Sequence, residues 1–434
     1  MIKKLNTIII KIKCNQDIEK VLKNSSWLLL DKLIRMGMGL LVGAWVARYL
    51  GPSANGELAY AVAFVAFFQP LANLGMDGIV VREITKKIQI SNELLGTTFI
   101  LRLVSGVFCW LVACFTIGFL DGFFSSSFFL VTLVGASLTF QCSDTIDLWF
   151  QSQSQSKRTV AAKLCSYAIS NIIKIILILQ NAPLFIFAII VALEALLSAI
   201  ALLIAYKRFP CVERWILVKS RALDLIRESW PFIISSISIV LYMRIDQILI
   251  KNILGEEQLG IYAAVLPLST LWAFIPMTLS VSLTPYITKV YNENREDYLN
   301  LLGNIFRFFS FLGWLVCLPI FFLSEEIVNL LFGIEYSTGG SVLQVIIFTN
   351  LFINLGVAQS LWILTERKAK LNLYKTFLGL VVCIIANLIL IPKLGIQGAA
   401  ISALLAQLSA TVLSNFLFCR NIFFMQLKSI VLLK

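Results

Sequence analysis

The sequence has no histidine and no Cys-x-x-Cys pair. Zinc and haem sites depend on these residues, so we expect neither a metal ion nor a cofactor in this protein. Nine cysteines are present, an odd number, and most of them lie in or beside apolar runs. This distribution implies no framework of disulfide bonds.

Charged residues are also scarce, at 14% of the chain, whereas 59% of the residues are hydrophobic. No ordinary soluble domain has this composition. Apolar runs of about 20 residues recur along the chain, which is the length that a helix needs to cross about 30 Å of hydrocarbon. The sequence therefore predicts an all-α polytopic membrane protein.

Motifs for energy use and catalysis are missing too. No GxxxxGK[ST] loop occurs, so we expect no phosphate-binding ATPase loop. The connections between apolar runs are short and leave no room for a soluble catalytic domain. A membrane glycan polymerase, the alternative from another class, is expected to hold its sugar acceptors in a large outer loop, and no such loop is predicted. Transport is therefore the leading class, and we expect no enzyme activity.

The apolar runs divide into twelve predicted spans. Their ranges are 25–47, 57–79, 95–118, 124–149, 160–180, 183–206, 230–253, 261–284, 304–323, 340–364, 372–392 and 396–419. The longest connection, at 207–229, separates a six-helix half at 25–206 from a second half at 230–419. A basic tail at 1–24 precedes the first half, and a tail at 420–434 follows the second.

Basic residues predict the orientation. If the N-terminal tail is cytoplasmic, nearly all lysines and arginines that flank the spans fall on the cytoplasmic side. Only Arg48, Lys251 and Lys393 fall on the other side. This bias predicts that both tails and the 207–229 linker are cytoplasmic. It also accounts for the net charge of +12 without nucleic acid as a partner.

The two predicted halves share a pattern after their first spans. Both have a Leu-Gly pair, a second glycine at the same spacing and then a Tyr-Ala pair: Leu50-Gly51, Gly56 and Tyr60-Ala61 in the first half, Leu254-Gly255, Gly260 and Tyr262-Ala263 in the second. Six spans per half keep both halves in the same orientation. We therefore predict a pseudo-two-fold axis along the membrane normal, with a site near the midplane at the interface of the halves.

Ionisable residues inside spans are costly unless they face a bundle interior or a wet cavity. Arg244 and Asp246 are two residues apart, or about 200° around a helix, so they cannot pair on one face and each needs its own partner. Asp31 and Arg35 are four apart and can form an ion pair. Arg102 lies one to two turns inside its span.

Four more charged residues leave alternatives open. Glu194 lies near the middle of the sixth span and suits a proton carrier, or else it forms an ion pair with Lys174 on the fifth span. Asp144 and Asp147 form an acidic pair on one face at a cytoplasmic end. They either bind a cation or pair with basic residues such as Lys163 and Arg102.

The stretch Trp45–Ile84 resembles the polysaccharide-transport flippases of the multidrug/oligosaccharidyl-lipid/polysaccharide exporter superfamily. The matching residues there are Tyr49, Leu50, Gly51, Pro52, Gly56, Tyr60, Ala61, Leu74, Gly75, Asp77, Arg82 and Glu83. Further matches are Leu95-Gly96-Thr97, Arg244-Ile245-Asp246-Gln247, Leu254-Gly255, Gly260, Tyr262, Phe332-Gly333, Tyr336, Leu394-Gly395 and Gly398-Ala399-Ala400. The likeness runs nearly end to end, with Ser152 standing where family members often have glycine.

The resemblance implies a flippase for undecaprenyl-diphosphate-linked O-antigen, or similar surface polysaccharide, repeat units. Such a protein moves its substrate from the cytoplasmic to the periplasmic leaflet of the bacterial inner membrane by alternating access, in lipopolysaccharide biosynthesis. Arg35, Arg102 and Arg244 would then bind the diphosphate, because the arginine fork suits that group.

The same resemblance assigns coupling or gating to Glu194, Asp246 and Lys174, with protons or sodium ions as the alternatives. It implies membrane lipids, a glycan polymerase and chain-length machinery as partners. A lipid II flippase and a drug/cation antiporter of the same superfamily stay open as alternatives. A drug exporter would be expected to have a net acidic cavity, whereas cations slightly outnumber anions within the spans.

Overall fold

A computed structural model describes residues 16–209 and 214–431. These residues form helices with short connections, and no strand occurs among them. The helices are α1 Gln16–Ala66, α2 Gln69–Asn73, α3 Asp77–Lys86, α4 Ser91–Asp121, α5 Ser126–Gly135, α6 Ser137–Phe140, α7 Asp144–Ser152, α8 Ser156–Leu179, α9 Leu184–Arg208, α10 Lys219–Leu254, α11 Glu256–Thr270, α12 Phe274–Glu293, α13 Arg295–Phe332, α14 Gly339–Ile346, α15 Thr349–Thr365, α16 Ala369–Leu394, α17 Ile396–Leu408, α18 Ser414–Phe418 and α19 Arg420–Ile430. A π-helical segment, Ser409–Leu413, joins α17 to α18. Most of the predicted basic tail at 1–24 lies outside the described residues.

Eleven helical segments of the described chain are long and apolar enough to cross a membrane. The first, Leu30–Lys86, has 57 residues, enough for two crossings at about 1.5 Å of rise per residue. Gly51 interrupts it with a φ of 73°, so it contains the first two predicted spans. The predicted all-α polytopic membrane fold with about twelve spans is confirmed.

The chain forms two compact units. The first, here the N-unit, combines the described chain up to Val42 with Val65–Ser236. The second, here the C-unit, combines Gly43–Phe64 with the described chain from Ile237 onward. The bend at Gly51 therefore belongs to the C-unit, although it lies in the first of the two predicted six-helix halves.

Each unit has its own apolar core. Trp149 and Phe150 are fully buried in the N-unit core, and Phe309 and Trp362 are buried in that of the C-unit. Large apolar side chains also cover the outer helix faces, as Phe119 does on α4. Such faces suit a lipid environment, because lipid tails are as apolar as these side chains.

The predicted 207–229 linker packs on the start of α4. The Ile216 amide donates to the Asn92 carbonyl at 3.2 Å, and the Val218 amide donates to Thr97 Oγ1 at 3.1 Å. A Cβ on Gly96 would lie 2.5 Å from the Ile216 nitrogen. Only glycine at position 96 leaves room for the linker backbone at Ile216. This contact gives a physical reason for the match of Leu95-Gly96-Thr97 to the family pattern. Helix α10 begins at Lys219, inside the predicted linker.

Candidate functional site

Arg35 lies in a polar cluster of the N-unit. Its Nε donates to Asp31 Oδ1 at 2.7 Å, which confirms the predicted pair. The Tyr167 hydroxyl donates to the Arg35 carbonyl at 3.1 Å, and the guanidinium lies 4.9 Å from the centroid of the Tyr167 ring. The Arg35 side chain is 29% exposed. Among the described residues its ion pair uses Nε, which leaves the terminal amino groups for a further acceptor.

Lys174 and Glu194 extend this cluster. Lys174 Nζ lies 3.3 Å from Glu194 Oε2, so the ion-pair alternative for these two residues is the one that forms. Tyr167 and Lys174 are two turns apart on one face of α8, and the charges of Glu194 and Arg35 both act on the Tyr167 hydroxyl. We call Asp31, Arg35, Tyr167, Lys174 and Glu194 the N-unit cluster. Its two basic and two acidic side chains give the cluster no net formal charge.

Arg102 lies in a different environment. Its side chain is 1% exposed, and its Nη2 pairs with Asp77, which is 66% exposed. Its Nε and Nη1 are buried and have no hydrogen-bond partner among the described residues. A buried donor without a partner costs about 1–3 kcal/mol. The structure thus places Arg102 in the interior of the N-unit.

The acidic pair at the cytoplasmic end is neutralised within the N-unit. Asp144 Oδ1 and Asp147 Oδ2 each lie 2.8 Å from Lys163 Nζ. Of the two alternatives for this pair, ion pairing with a base is therefore the one that forms, and it joins α7 to α8. No group of three or more acidic or cysteine side chains in the described ranges has the spacing of a metal site.

Arg244 and Asp246 have separate partners in the C-unit. Asp246 is buried. Its carboxylate accepts from the Tyr262 hydroxyl at 2.5 Å and from the backbone N–H of Gln247 at 2.8 Å. Arg244 Nη1 donates to Gln247 Oε1 at the long distance of 3.5 Å. The prediction that the two side chains do not pair is confirmed. Asp246 joins α10 to α11 through Tyr262, while Arg244 is half-buried and has only a long hydrogen bond.

Two glycines of the repeated pattern touch each other in the C-unit. A Cβ on Gly56 would lie 1.8 Å from the Glu256 carbonyl oxygen, and a Cβ on Gly260 would lie 1.8 Å from the Pro52 carbonyl oxygen. Each of these carbonyls lies four residues before the other glycine, so the contact is reciprocal. We call it the glycine crossing. The predicted repeat is thus a pair of matching surfaces on α1 and α11.

Polar contacts surround the glycine crossing. Asn55 Nδ2 donates to the Gly260 carbonyl at 3.0 Å, and the Tyr336 hydroxyl donates to the Ala47 carbonyl at 2.6 Å. Burial raises the pKa of the Tyr336 phenol, so this group stays a neutral donor. The crossing therefore closes by close backbone packing and a few hydrogen bonds.

Three functional candidates were not found from the sequence. Tyr262 belongs to the repeated pattern, and its place in that pattern could have marked it as a candidate. Tyr167 is seven residues before Lys174 on one helix face, and this spacing could have marked it as a neighbour of Lys174. Lys375 is buried and donates to Gln359 Oε1; the sequence placed it at a span edge, where lysines usually extend to the surface.

Family models match most of the chain. The model described as polysaccharide biosynthesis protein matches residues 21–291, and the model described as MatE matches residues 231–389. The capsular polysaccharide biosynthesis protein CapF of Staphylococcus aureus is 27% identical over 229 residues, or 50% of this chain. The match spans 57% of the length of CapF.

Solved transporter structures share the fold. The inward closed form of the lipid II flippase MurJ has a TM-score of 0.72 at 13% identity, covering 94% of this chain and 91% of MurJ. An inward-facing multidrug resistance MATE family transporter of the MOP superfamily has a TM-score of 0.70 at 13% identity, covering 92% of this chain and 99% of that one. These identities are low, so the likeness establishes the fold alone.

Proposed function

Since the chain belongs to the polysaccharide biosynthesis protein family, we propose that this multi-pass membrane transporter is a flippase for lipid-linked oligosaccharides. The substrate we propose is an undecaprenyl-diphosphate-linked repeat unit of O-antigen or a similar surface polysaccharide. It moves from the cytoplasmic to the periplasmic leaflet of a bacterial inner membrane. The basic residues that flank the spans support cytoplasmic termini.

One observation carries the proposal most directly: Arg35 is half-buried, balanced by Asp31 and still accessible. An arginine held at Nε presents its terminal amino groups to a diphosphate, which accepts two parallel hydrogen bonds. Arg244 supports the same role, because its only hydrogen bond within the described chain is a long one to Gln247. We propose that these two side chains contact the headgroup.

Arg102 has a positioning role in this proposal. Its pairing with Asp77 joins α4 to the first residue of α3. The turn before α3 has Leu74 and Gly75 at positive φ. Arg102 thus stabilises the shape of the N-unit, and contact with the substrate is left to Arg35 and Arg244.

The glycine crossing supports alternating access. We propose that it closes the periplasmic end of the path, and that transport opens it. Each neutral hydrogen bond there contributes about 0.5–1.5 kcal/mol, so the Asn55 and Tyr336 contacts can break reversibly. The Asn55 and Tyr336 bonds join neutral groups, which suits a closure that must open in every cycle.

A genetic experiment tests the substrate class. Deletion of the gene should make lipid-linked repeat units accumulate in the cytoplasmic leaflet and abolish surface glycan. Wild-type protein should restore the glycan, whereas Arg35→Gln and Arg244→Ala should not, at normal protein abundance. Arg307→Gln is the matched control, since Arg307 bonds only to Gly303 and Asn304 of its own helix among the described contacts. Lipid intermediates that do not accumulate after deletion would contradict the proposal.

The drug/cation antiporter is the weaker alternative. Export of a cationic drug is expected to use a net acidic site, whereas the charges of the N-unit cluster balance and Arg35 remains accessible. The lipid II flippase alternative shares the diphosphate chemistry. Analysis of the lipid that accumulates after deletion separates it from the repeat-unit flippase.

A further inference from the structure

The C-unit contains a cavity of about 340 Å³. Its walls come from α12 and the short turn before it, from α13 and from α15. Pro319 lies inside α13, where a proline removes a backbone donor and bends the helix. Pro276 lies at the start of α12, just after the turn that joins it to α11. Both prolines line the cavity, so it lies where neighbouring helices depart from regular packing.

Two asparagines of α15 supply most of the polar groups of the cavity wall. Asn350 and Asn354 are one turn apart and are 1% and 5% exposed. Asn350 Nδ2 donates to the Ser269 carbonyl at 2.6 Å and to the Ile347 carbonyl at 3.2 Å. Both N–H groups of this amide are therefore used, and a turned amide would place its oxygen against two carbonyls. The orientation of the Asn350 amide is fixed for this reason.

The oxygen of the same amide has no donor. Asn350 Oδ1 is buried and lacks a hydrogen-bond partner among the described residues. Asn354 Nδ2 donates to the Phe309 carbonyl at 3.2 Å, and the indole N–H of Trp272, also in the wall, donates to the Leu268 carbonyl at 3.1 Å. A buried acceptor without a donor costs free energy. A ligand that donates to Asn350 Oδ1 would remove that cost.

An apolar groove of about 490 Å³ adjoins the cavity. The cavity and the groove share Leu315 and Pro319 of α13. From there the groove extends past Trp314 to Ile430 of α19, and Trp314 Nε1 donates to the Ile430 carbonyl at 2.9 Å. Leu315 is 58% exposed and lies near the middle of the predicted span 304–323. The cavity and the groove therefore meet at a surface where hydrocarbon is the solvent.

We propose that the cavity and the groove form a binding site for a neutral long-chain alcohol. Its hydroxyl group donates to Asn350 Oδ1, and its alkyl chain passes over Leu315 and Pro319 into the groove. Apolar walls with a few placed polar groups are typical of small-molecule sites. This site is separate from the headgroup contacts at Arg35 and Arg244, and it does not depend on the identity of the transported lipid.

A hydroxyl group on an alkyl chain fits both parts of the site. An alkane would leave Asn350 Oδ1 without a donor. A deprotonated carboxylate or phosphate group only accepts, and no basic side chain is among the described residues that line the cavity or the groove. A water molecule would satisfy the amide oxygen but would leave the apolar groove unfilled.

Photolabelling of the full-length protein in phosphatidylcholine vesicles tests this inference without a transport assay. The probe is dodecanol with a diazirine at the far end of its chain, and mass spectrometry maps the labelled residues. We expect saturable labelling near Trp314 and Ile430. Unlabelled dodecanol should compete, whereas dodecyl methyl ether has the oxygen but no donor. The ether should compete roughly twofold to tenfold less well, the effect of one neutral hydrogen bond.

Three variants locate the site. Val316→Phe enlarges a side chain of the cavity wall and should strongly reduce the labelling. Leu323→Phe is the matched control, because Leu323 is exposed on the same helix and lines neither the cavity nor the groove. Asn350→Leu removes the amide oxygen and should make dodecanol and its ether compete equally. If Asn350→Leu does not fold, Val316→Phe decides the question, because it leaves the Asn350 bonds in place.

Two results would overturn the inference. Equal competition by dodecanol and its ether in the wild type would show that Asn350 Oδ1 does not select a donor, as a water molecule already bound there would cause. Labelling near Trp314 that Val316→Phe leaves unchanged would show that the probe only dissolves in the lipid around the protein.

Discussion

Arg35 and Arg102 are both intramembrane arginines, but their surroundings give them different tasks. The guanidinium of Arg35 is partly exposed and rests on the Tyr167 ring. That of Arg102 is enclosed, with two nitrogen atoms lacking partners in the described structure. An accessible arginine can bind an anion, whereas an enclosed one acts on the protein around it.

Replacement of Arg35 should affect transport more than stability. The pair with Asp31 is partly solvated, and such pairs contribute about 0–1 kcal/mol. We expect Arg35→Gln to reduce transport at least about tenfold, the effect of losing one charge-assisted bond to an anion. Arg35→Lys should restore part of the activity, because it keeps the charge but loses the planar fork. The melting temperature in detergent should stay near that of the wild type in both variants.

Asp77 and Arg102 should show the opposite behaviour. Asp77→Ala leaves the buried guanidinium without its acid, which we expect to destabilise the protein by about 2 kcal/mol, less than a fully buried pair because Asp77 is exposed. Arg102→Met replaces the charge by an apolar side chain and should cost less. Melting temperatures of the two variants in detergent measure the order, and a larger loss for Arg102→Met would contradict it.

At the scale of residues, some features of the site are predictable from the sequence and others are not. The helix angle correctly predicts that Arg244 and Asp246 have separate partners. Sequence spacing does not tell whether a lysine near a span end extends to the surface or turns inward, which is why Lys375 was missed. The sequence leaves the ion pair of Lys174 with Glu194 as one of two alternatives. The choice between them depends on how α8 packs on α9, which no local pattern specifies.

At the scale of elements, the glycine crossing shows how a sequence repeat becomes a contact. The spacing of Gly51 to Gly56 equals that of Gly255 to Gly260, and the repeat was visible for that reason. That α1 and α11 use this spacing to pack backbone on backbone could be known only from the structure, because the sequence does not say which helices meet.

Alanine at the crossing should force α1 and α11 apart. An added Cβ at Gly56 or Gly260 meets a carbonyl oxygen at 1.8 Å, and backbone cannot move aside as a side chain can. We expect Gly56→Ala and Gly260→Ala each to destabilise the closed form by about 1–3 kcal/mol. The readouts are detergent melting temperature and surface glycan.

Gly43→Ala is the matched control for the crossing. Gly43 lies on the same helix, and nothing is within 4 Å of a Cβ built there. Alanine favours a helix over glycine, so this variant should be neutral or slightly more stable. If Gly43→Ala is as harmful as Gly56→Ala, close packing at the crossing is not the cause.

At the scale of the whole molecule, the composition alone specifies a polytopic helical bundle, and the structure confirms it. The division into units is less visible in the sequence, because Gly43–Phe64 packs with the C-unit. Chain order assigns this segment to the first half, whereas its glycine crossing ties it to α11. Non-local packing of this kind is not encoded in the apolar pattern of any single span.

The central claim is that the protein moves a diphosphate-linked oligosaccharide lipid between leaflets, and it can be measured with purified components. Vesicles containing the protein and a substrate labelled on its sugar are treated with a membrane-impermeant quencher. The account predicts that wild-type protein exposes inner-leaflet label to the quencher over time and that Arg35→Gln does so much more slowly. If the quenched fraction stays at the outer-leaflet share with wild-type protein, as in vesicles without protein, the account is wrong.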